Sequence, residues 1–225
     1  MLIFIAFAFS TFAQIPVHPN KIDASGKRQG MWTILYDADW NVIKKADSAT
    51  FYRIANYKDN VPMGKTHDYY HNGNVQWEGT ILQDEPQILD GLATEYYPDG
   101  EVDVYHIYEK GNYNTPKTII EMQKLAQQYA GIPEKYERHA RTLNVIGLLY
   151  QQTGDYNKSV TTFKEALVVM EKQNKKYTGA YVKTLYSLAA VYHRLNNEKE
   201  KLSILSYIPS IEREVYQDDS LSLAY

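Results

Sequence analysis

The sequence contains no cysteine among its 225 residues. This absence excludes disulfide bonds, a thiolate nucleophile, sulfur-ligated metal sites and an N-terminal lipid anchor on cysteine. The motifs GxGxxG, GxSxG and HExxH and the P-loop are absent as well. A segment that begins like a calcium loop, Asp37 to Asn41, has Val42 where glycine must turn the chain and Ser48 where the bidentate glutamate belongs. We therefore expect no catalytic, cofactor or metal site, and a protein that is not an enzyme.

Basic residues are missing between Lys65 and Lys110, where ten carboxylates occur. Such a charge run is typical of a solvated, acidic surface, and it argues against nucleic acid and anionic lipid as ligands. The alternative is a carbohydrate-active β domain in which two carboxylates, Glu95 and Asp99, act as acid and base on a glycan.

Long hydrophobic runs are confined to the beginning of the chain, where Leu2 to Phe9 are apolar. The small residues Thr11 and Ala13 precede Gln14 in the manner of a signal-peptidase site, although no lysine or arginine precedes the run. We predict a signal peptide over residues 1–13, which is either truncated at its start or a weak signal, and an exported, periplasmic or secreted protein without membrane insertion after its removal. The alternative is an apolar N-terminal strand or helix. Residues 14–25 are predicted to be a linker.

Net charge changes sign along the chain, which indicates two domains. Residues 15–113 carry 9 basic and 15 acidic residues, a net −6, whereas residues 114–225 carry 15 and 12, a net +3. The hydrophobic period changes at the same point. The fold class predicted is α+β, with an antiparallel β-meander followed by a helical array.

The first half repeats a hairpin pattern three times. HNGNV (71–75) and PDGEV (98–102) are strong hairpin signals, because each places glycine after Asn or Asp between apolar runs. The copies begin at Gly30, Gly64 and Gly91, and a tyrosine follows each glycine by six residues. In the first copy Val42 comes one residue late, so we expect its loop to be longer by one.

These motifs, Gly30-Met31-Trp32 and Val75-Gln76-Trp77-Glu78-Gly79 above all, resemble MORN-like repeats. The resemblance covers about residues 26–113 and implies stacked hairpins in one continuous sheet, of a kind found in bacterial envelope proteins.

The second half has helical periodicity. Pro116 suits a first helical turn, and an apolar stripe predicts a connecting helix within 114–137. The stripe consists of Ile119, Ile120, Met122, Leu125, Ala126 and Tyr129. A helical hairpin follows over 142–167, with Gly154 as the end of its first helix and Asp155 as the cap of its second.

The hairpin resembles the tetratricopeptide repeat through Leu143, Ile146, Gly147, Tyr150, Gly154, Ser159, Phe163 and Ala166. A second copy is displaced by 42 residues, as in long-period members of that family, but Lys201 replaces the small residue and Pro209 is expected to kink or end its helix. Asp218-Asp219-Ser220 looks like the cap of a further helix. The resemblance covers residues 138–225, with a third repeat cut off.

The resemblance implies a non-enzymatic scaffold that binds a protein or peptide in the groove lined by the first helix of each repeat. By position we predict that this groove contains Arg141, Asn144, Leu148, Gln151, Gln152, Lys183, Tyr186, Ala190, His193 and Arg194. Its basic bias predicts an acidic or C-terminal-carboxylate ligand. Two alternatives remain: the regulatory N-terminal part of a longer signalling or caspase-like peptidase protein, and a spacer in which the acidic sheet docks on the basic helices. The sequence leaves the oligomeric state open.

Overall fold

The structure, a computed structural model, describes residues 14–174 and 178–222 of the chain. The chain divides between Asn114 and Thr115 into two compact units, a β unit and a helical unit. The first is an antiparallel sheet and the second is built from α-helices, so the predicted α+β fold class is confirmed.

Over its described residues, 14–114, the β unit is a single antiparallel sheet of ten strands. Their bounds are Lys21–Ile22 (β1), Arg28–Tyr36 (β2), Val42–Ile43 (β3), Phe51–Lys58 (β4), Val61–Pro62 (β5), Lys65–Tyr70 (β6), Val75–Asp84 (β7), Gln87–Tyr96 (β8), Val102–Glu109 (β9) and Asn112–Tyr113 (β10). The strand order is β1-β2-β4-β6-β7-β8-β9-β10, with β3 paired to β2 and β5 paired to β4. The long strands therefore follow one another across the sheet in chain order.

The repeated hairpins share their backbone geometry. Each copy starts at a glycine in the left-handed region, with φ of 70° at Gly30, 77° at Gly64 and 72° at Gly91. The next turn of each copy contains a second residue in the left-handed region. This residue is Trp40, at φ 63°, in the first copy, Gly73 in the second and Gly100 in the third.

The connection after β2 has five residues, one more than the four between β6 and β7 and as many as the five between β8 and β9, so the predicted longer loop holds against the second copy only. The hydrogen-bonded turn itself has the same length: Asp37 N–H donates to Asn41 C=O at 3.0 Å, as Tyr70 N–H donates to Asn74 C=O at 2.9 Å. The additional residue, Asp37, follows the end of β2 at Tyr36. Hydrogen bonds from Asn41 lower the pKa of the Asp37 carboxyl, which also accepts the N–H of Asp39, so this carboxylate stabilises the turn.

The predicted linker over residues 14–25 is instead attached to the sheet. Ile15 is buried and packs in a cluster with Ala49 and Tyr52. Asn20 bonds Thr33 of β2 through both its carbonyl oxygen and its amide nitrogen, and β1 follows within the same segment. These contacts make the segment part of the β unit.

The acidic run is not a uniformly solvated surface, which corrects that expectation. Cations from outside the run pair with its carboxylates: Arg53 binds the buried Asp68, and Arg28 lies 2.7 Å from Asp84. Asp84 also accepts the hydroxyl of Tyr57 at 2.8 Å. Cross-strand pairing therefore neutralises charges that look unpaired in the sequence.

Where the structure describes it, over residues 115–174 and 178–222, the helical unit contains five α-helices: Thr115–Tyr129 (α1), Tyr136–Gln152 (α2), Tyr156–Lys172 (α3), Gly179–Arg194 (α4) and Glu198–Ser222 (α5). The predicted connecting segment 114–137 thus consists of α1, a 3₁₀ turn over Pro133–Lys135 and the start of α2. Most of the predicted stripe of α1 is buried, but Ile120 is exposed. No helix within residues 14–174 and 178–222 has both the length and the apolar character to cross a bilayer.

The first helical hairpin, α2 and α3, packs through small residues. The backbone of Gly147 lies against the ring of the fully buried Phe163, and Ser159 Oγ donates to the Gly147 carbonyl at 2.7 Å. Gly154 ends the turn with φ 80°. The predicted side-chain cap by Asp155 is wrong, because its carboxylate pairs with Lys158 while its carbonyl accepts the N–H of Ser159.

The second hairpin, α4 and α5, corrects two expectations about the chain end. Helix α5 continues through Pro209 without ending there, because proline removes only one backbone donor and the surrounding packing retains the helix. Asp218 to Ser220 lie inside α5, so no helix begins at them. Lys201 is held on the first turn by an ion pair with Glu198.

Candidate functional site

A cavity of about 660 Å³ lies between the first halves of α2 and α4. The floor and one wall are apolar, with Ala140, Val145 and Met170, and Leu148 stands half-exposed on the rim. The other wall comes from the start of α4, where Thr178 accepts the N–H of Tyr181 and so fixes the first turn. Concave, mainly apolar sites of this size with a few polar groups are typical ligand sites.

The cavity brings together four of the ten predicted groove residues, namely Arg141, Asn144, Leu148 and Lys183. The other six, Gln151, Gln152, Tyr186, Ala190, His193 and Arg194, lie further along α2 and α4 and are not among its lining residues. Tyr186 donates its hydroxyl to Glu212, and His193 lies 3.3 Å from Glu198. The predicted face is therefore long, and only its N-terminal part is concave.

Eight of the fourteen lining residues carry polar or charged side chains, and two of these have unsatisfied capacity. The Oδ1 atom of Asn144 is buried without a hydrogen-bond partner. The ammonium group of Lys183 is exposed and has no ion pair among the described residues. A buried acceptor without a donor is costly, and it is the kind of group that a ligand N–H satisfies.

Sequence reasoning missed several residues that line the cavity. Tyr136 donates its hydroxyl to Glu137 at 2.6 Å, and that hydrogen bond, with a smaller effect of burial, raises the pKa of Tyr136 to about 12. Met170 comes from α3, a helix that positional analogy assigns to the outer layer. The repeat offset could have indicated the start of α4, since Thr178 and Gly179 lie 42 residues after Tyr136 and Glu137.

A second, smaller cavity of about 300 Å³ lies between α1, α2 and α3. Its lining includes Gln123, His139 and Glu165. Burial lowers the pKa of His139, and the nearby charge of Glu165 opposes this effect. Elsewhere in the described ranges, no group of three His, Asp or Glu side chains is placed to hold a metal ion.

The carboxylates proposed for glycan chemistry each have a local partner. Glu95 Oε1 lies 3.1 Å from His106 Nε2, and Asp99 Oδ1 accepts the N–H of Glu101 at 3.2 Å. Asp99 therefore stabilises a turn, and Glu95 lies on β8. The contacts favour a structural role for both residues.

Comparison with known proteins gives one family match. Residues 138–200, which are 63 of the 225, match the family model described as tetratricopeptide repeat. No curated protein matches the chain. The tetratricopeptide character predicted for the helical half is confirmed over the matched residues, and repeats of this family generally mediate protein–protein interaction.

Proposed function

We propose that the chain is a non-enzymatic scaffold whose helical unit binds an extended peptide in the cavity between α2 and α4. Three features that occur together at this site support the proposal. The cavity is lined in part by apolar residues, Asn144 has a buried acceptor without a donor, and Arg141 and Lys183 add cationic side chains. The family match over 138–200 supports the same class of function.

The ligand that this chemistry fits is a peptide with an acidic group or a C-terminal carboxylate. A backbone N–H of the peptide would satisfy Asn144 Oδ1, and a carboxylate would pair with Lys183 in a charge-assisted hydrogen bond. An apolar side chain beside that carboxylate would occupy the space lined by Val145 and Met170. Glu137 on the rim favours a ligand with one localised negative charge over a uniformly acidic one.

The test is a charge reversal measured on a peptide array. The probe is a set of synthetic peptides with free C-terminal carboxylates, each printed beside its C-terminal amide. We expect Lys183→Glu to weaken binding of the carboxylate peptides about tenfold, because it replaces an attraction with a repulsion at an exposed charge.

The matched control is Lys199→Glu, which makes the same charge change at an exposed position on α5. If the Lys183→Glu and Lys199→Glu proteins bind the carboxylate peptides equally well, the peptides do not bind in the cavity between α2 and α4. Equal binding of the carboxylate and amide peptides would reject the carboxylate ligand while retaining the groove.

We also infer that the protein is exported, with cleavage after Ala13. The support is the apolar run and its small-residue end, which lie outside the described residues. Intact-mass measurement of the protein from its native host should give a mature chain that begins at Gln14. A chain that retains residues 1–13 would reject export by a cleaved signal.

The β unit, we infer, is an array of MORN-like hairpins in an envelope protein. The support is the repeated geometry of Gly30, Gly64 and Gly91, which share the left-handed conformation at the same point of each copy. A sheet of this kind would serve as the structural part of the scaffold, while the helical unit binds the ligand.

A further inference from the structure

The smaller cavity, of about 300 Å³, lies on the opposite side of α2 from the cavity that is proposed to bind a peptide. Asn144 and Leu148 line the larger cavity, whereas Leu143 and Ile146 line the smaller one. At about 100° per residue along an α-helix, these two pairs point to nearly opposite sides of α2. A ligand in the smaller cavity therefore does not compete with a ligand in the larger one.

Several polar groups of the smaller cavity can accept a further hydrogen bond. The Thr162 hydroxyl donates to the Lys158 carbonyl at 2.9 Å, so its oxygen can only accept a second bond. A Gln123 amide N–H donates to the Tyr150 hydroxyl at 3.0 Å, and the carbonyl oxygen of that amide remains as an acceptor. The carboxylate of Glu165, which also lines the cavity, has acceptors alone. Helices α1 and α3 thus both supply acceptors.

His139 and Glu165 line the cavity, and among the described residues neither side chain has a hydrogen bond or an ion pair. Burial lowers the pKa of His139 against the opposing charge of Glu165, so the imidazole is neutral near pH 7 and one ring nitrogen is an acceptor. No lysine or arginine belongs to the described residues that line the cavity. The negative charge of Glu165 is therefore not compensated within it.

The rest of the lining is mainly apolar. Ala126, Leu143 and Ile146 line the cavity and are 6 %, 4 % and 2 % exposed. An apolar surface beside unpaired acceptors suits a ligand that has an apolar stem and a cationic head. The stem is removed from water in such a site, while the head keeps its hydrogen bonds.

We propose that the smaller cavity binds the arginine side chain of a partner protein. The guanidinium group carries five N–H donors in a planar fork and no acceptor, which matches acceptors that come from three helices. Its charge pairs with Glu165, and its methylene stem packs on Leu143 and Ile146. A lysine ammonium group is a compact charge and reaches fewer of these acceptors at once. The site does not depend on the peptide cavity, and failure of either proposal leaves the other unaffected.

Nuclear magnetic resonance of the full chain near neutral pH tests the site, with N-acetyl-arginine amide as the probe. The imidazole signals of His139, assigned by their loss in His139→Gln, report on occupancy of the cavity. We expect saturable shifts with a dissociation constant on the order of a few millimolar, because one exposed ion pair supports only weak binding. The neutral isostere N-acetyl-citrulline amide should leave these signals unchanged.

A charge-removing variant identifies the carboxylate that holds the probe. Glu165→Gln should raise the dissociation constant about fivefold, since it removes the charge that attracts the guanidinium group. The matched control is Glu214→Gln, which makes the same change at an exposed position of α5 and should leave the constant unchanged. Circular dichroism checks that all variants remain folded.

The proposal is overturned if the His139 signals do not shift at about 50 mM probe, or if the citrulline probe shifts them equally. Equal dissociation constants for Glu165→Gln and Glu214→Gln would overturn it as well. Equal binding of N-acetyl-lysine amide would reject the preference for a guanidinium group. Tighter binding of free L-arginine than of the amide would assign the cavity to a small molecule instead of a partner protein.

Discussion

Replacing Asp68 by alanine is expected to lower the free energy of unfolding of the β unit by about 3–5 kcal/mol, because it leaves a buried charge without its partner. Asp68 is 3 % exposed and accepts two hydrogen bonds from Arg53, at 2.7 Å from Nε and 2.9 Å from Nη2. Burial lowers the pKa of Arg53, but the hydrogen bonds and charge of Asp68 more than offset this effect and the pKa is raised. The substitution removes that increase, but the guanidinium stays charged because arginine side chains are not deprotonated in proteins.

Tryptophan fluorescence during urea unfolding can report on this effect in the intact chain. All three tryptophans, Trp32, Trp40 and Trp77, lie in the β unit. The matched control is Asp39→Ala, which removes an exposed carboxylate and should change the stability by no more than about 0.5 kcal/mol.

A double variant separates loss of pairing from loss of packing. Arg53→Met/Asp68→Leu removes both charges and keeps apolar bulk, so it should recover much of the loss seen in Asp68→Ala. If Asp68→Ala costs no more than the Asp39→Ala control, the buried ion pair does not stabilise the sheet.

The second large effect is expected from Gly147→Ala, which should destabilise the helical unit by about 1–3 kcal/mol. Helix propensity alone predicts the opposite sign, since alanine in a helix interior is favoured over glycine by about 1 kcal/mol. The contact decides the outcome: a Cβ at position 147 would lie 2.7–2.9 Å from three ring carbons of Phe163. Phe163 is 0 % exposed and packed within an apolar cluster, so the ring cannot turn out into solvent.

Far-ultraviolet circular dichroism during thermal unfolding measures this change. The matched control is Gly179→Ala, because this glycine is also helical and a Cβ there meets no atom within 4 Å. We expect the control to be neutral or more stable. The double variant Gly147→Ala/Phe163→Leu should recover part of the lost stability. If Gly147→Ala and Gly179→Ala change the stability in the same direction, the contact with the ring is not decisive.

Local signals predicted the parts of the fold that depend on local chemistry. The turns at Gly73 and Gly100 are specified by adjacent residues, and Asn72 and Asp99 accept backbone N–H groups two residues on. The α2–α3 hairpin was likewise predicted, because Gly147 and Phe163 lie at a spacing that only close helix packing explains. In each case the determining residues are near one another in the sequence.

Long-range pairing accounts for most of what the sequence did not predict. The acidic run looks unpaired because Arg28 and Arg53, which bind Asp84 and Asp68, lie outside it and meet it only across strands. Strand β4, Phe51–Lys58, falls outside the three copies of the repeat, yet it forms much of the sheet centre.

The candidate site was predicted only in part for a similar reason. Positional analogy identified the helix faces that carry Arg141 and Lys183, since one helical period fixes them. It could not indicate where along those faces the surface becomes concave, because that depends on Met170 of α3 and on the start of α4. Tertiary contacts, rather than periodicity, determine the depth of the cavity.

The chain-order arrangement of the sheet has a consequence for how such a protein changes over evolution. Because the strands from β6 to β10 each pair with their neighbours in the sequence, a hairpin can be duplicated or deleted at the end of the sheet without rerouting any other connection. A closed barrel would have to be rebuilt for the same change, since every strand there has two fixed neighbours. At the β9 end of the sheet, the two-residue strand β10 pairs with Tyr108 and Glu109 alone, so a further hairpin would have to displace only that short pairing.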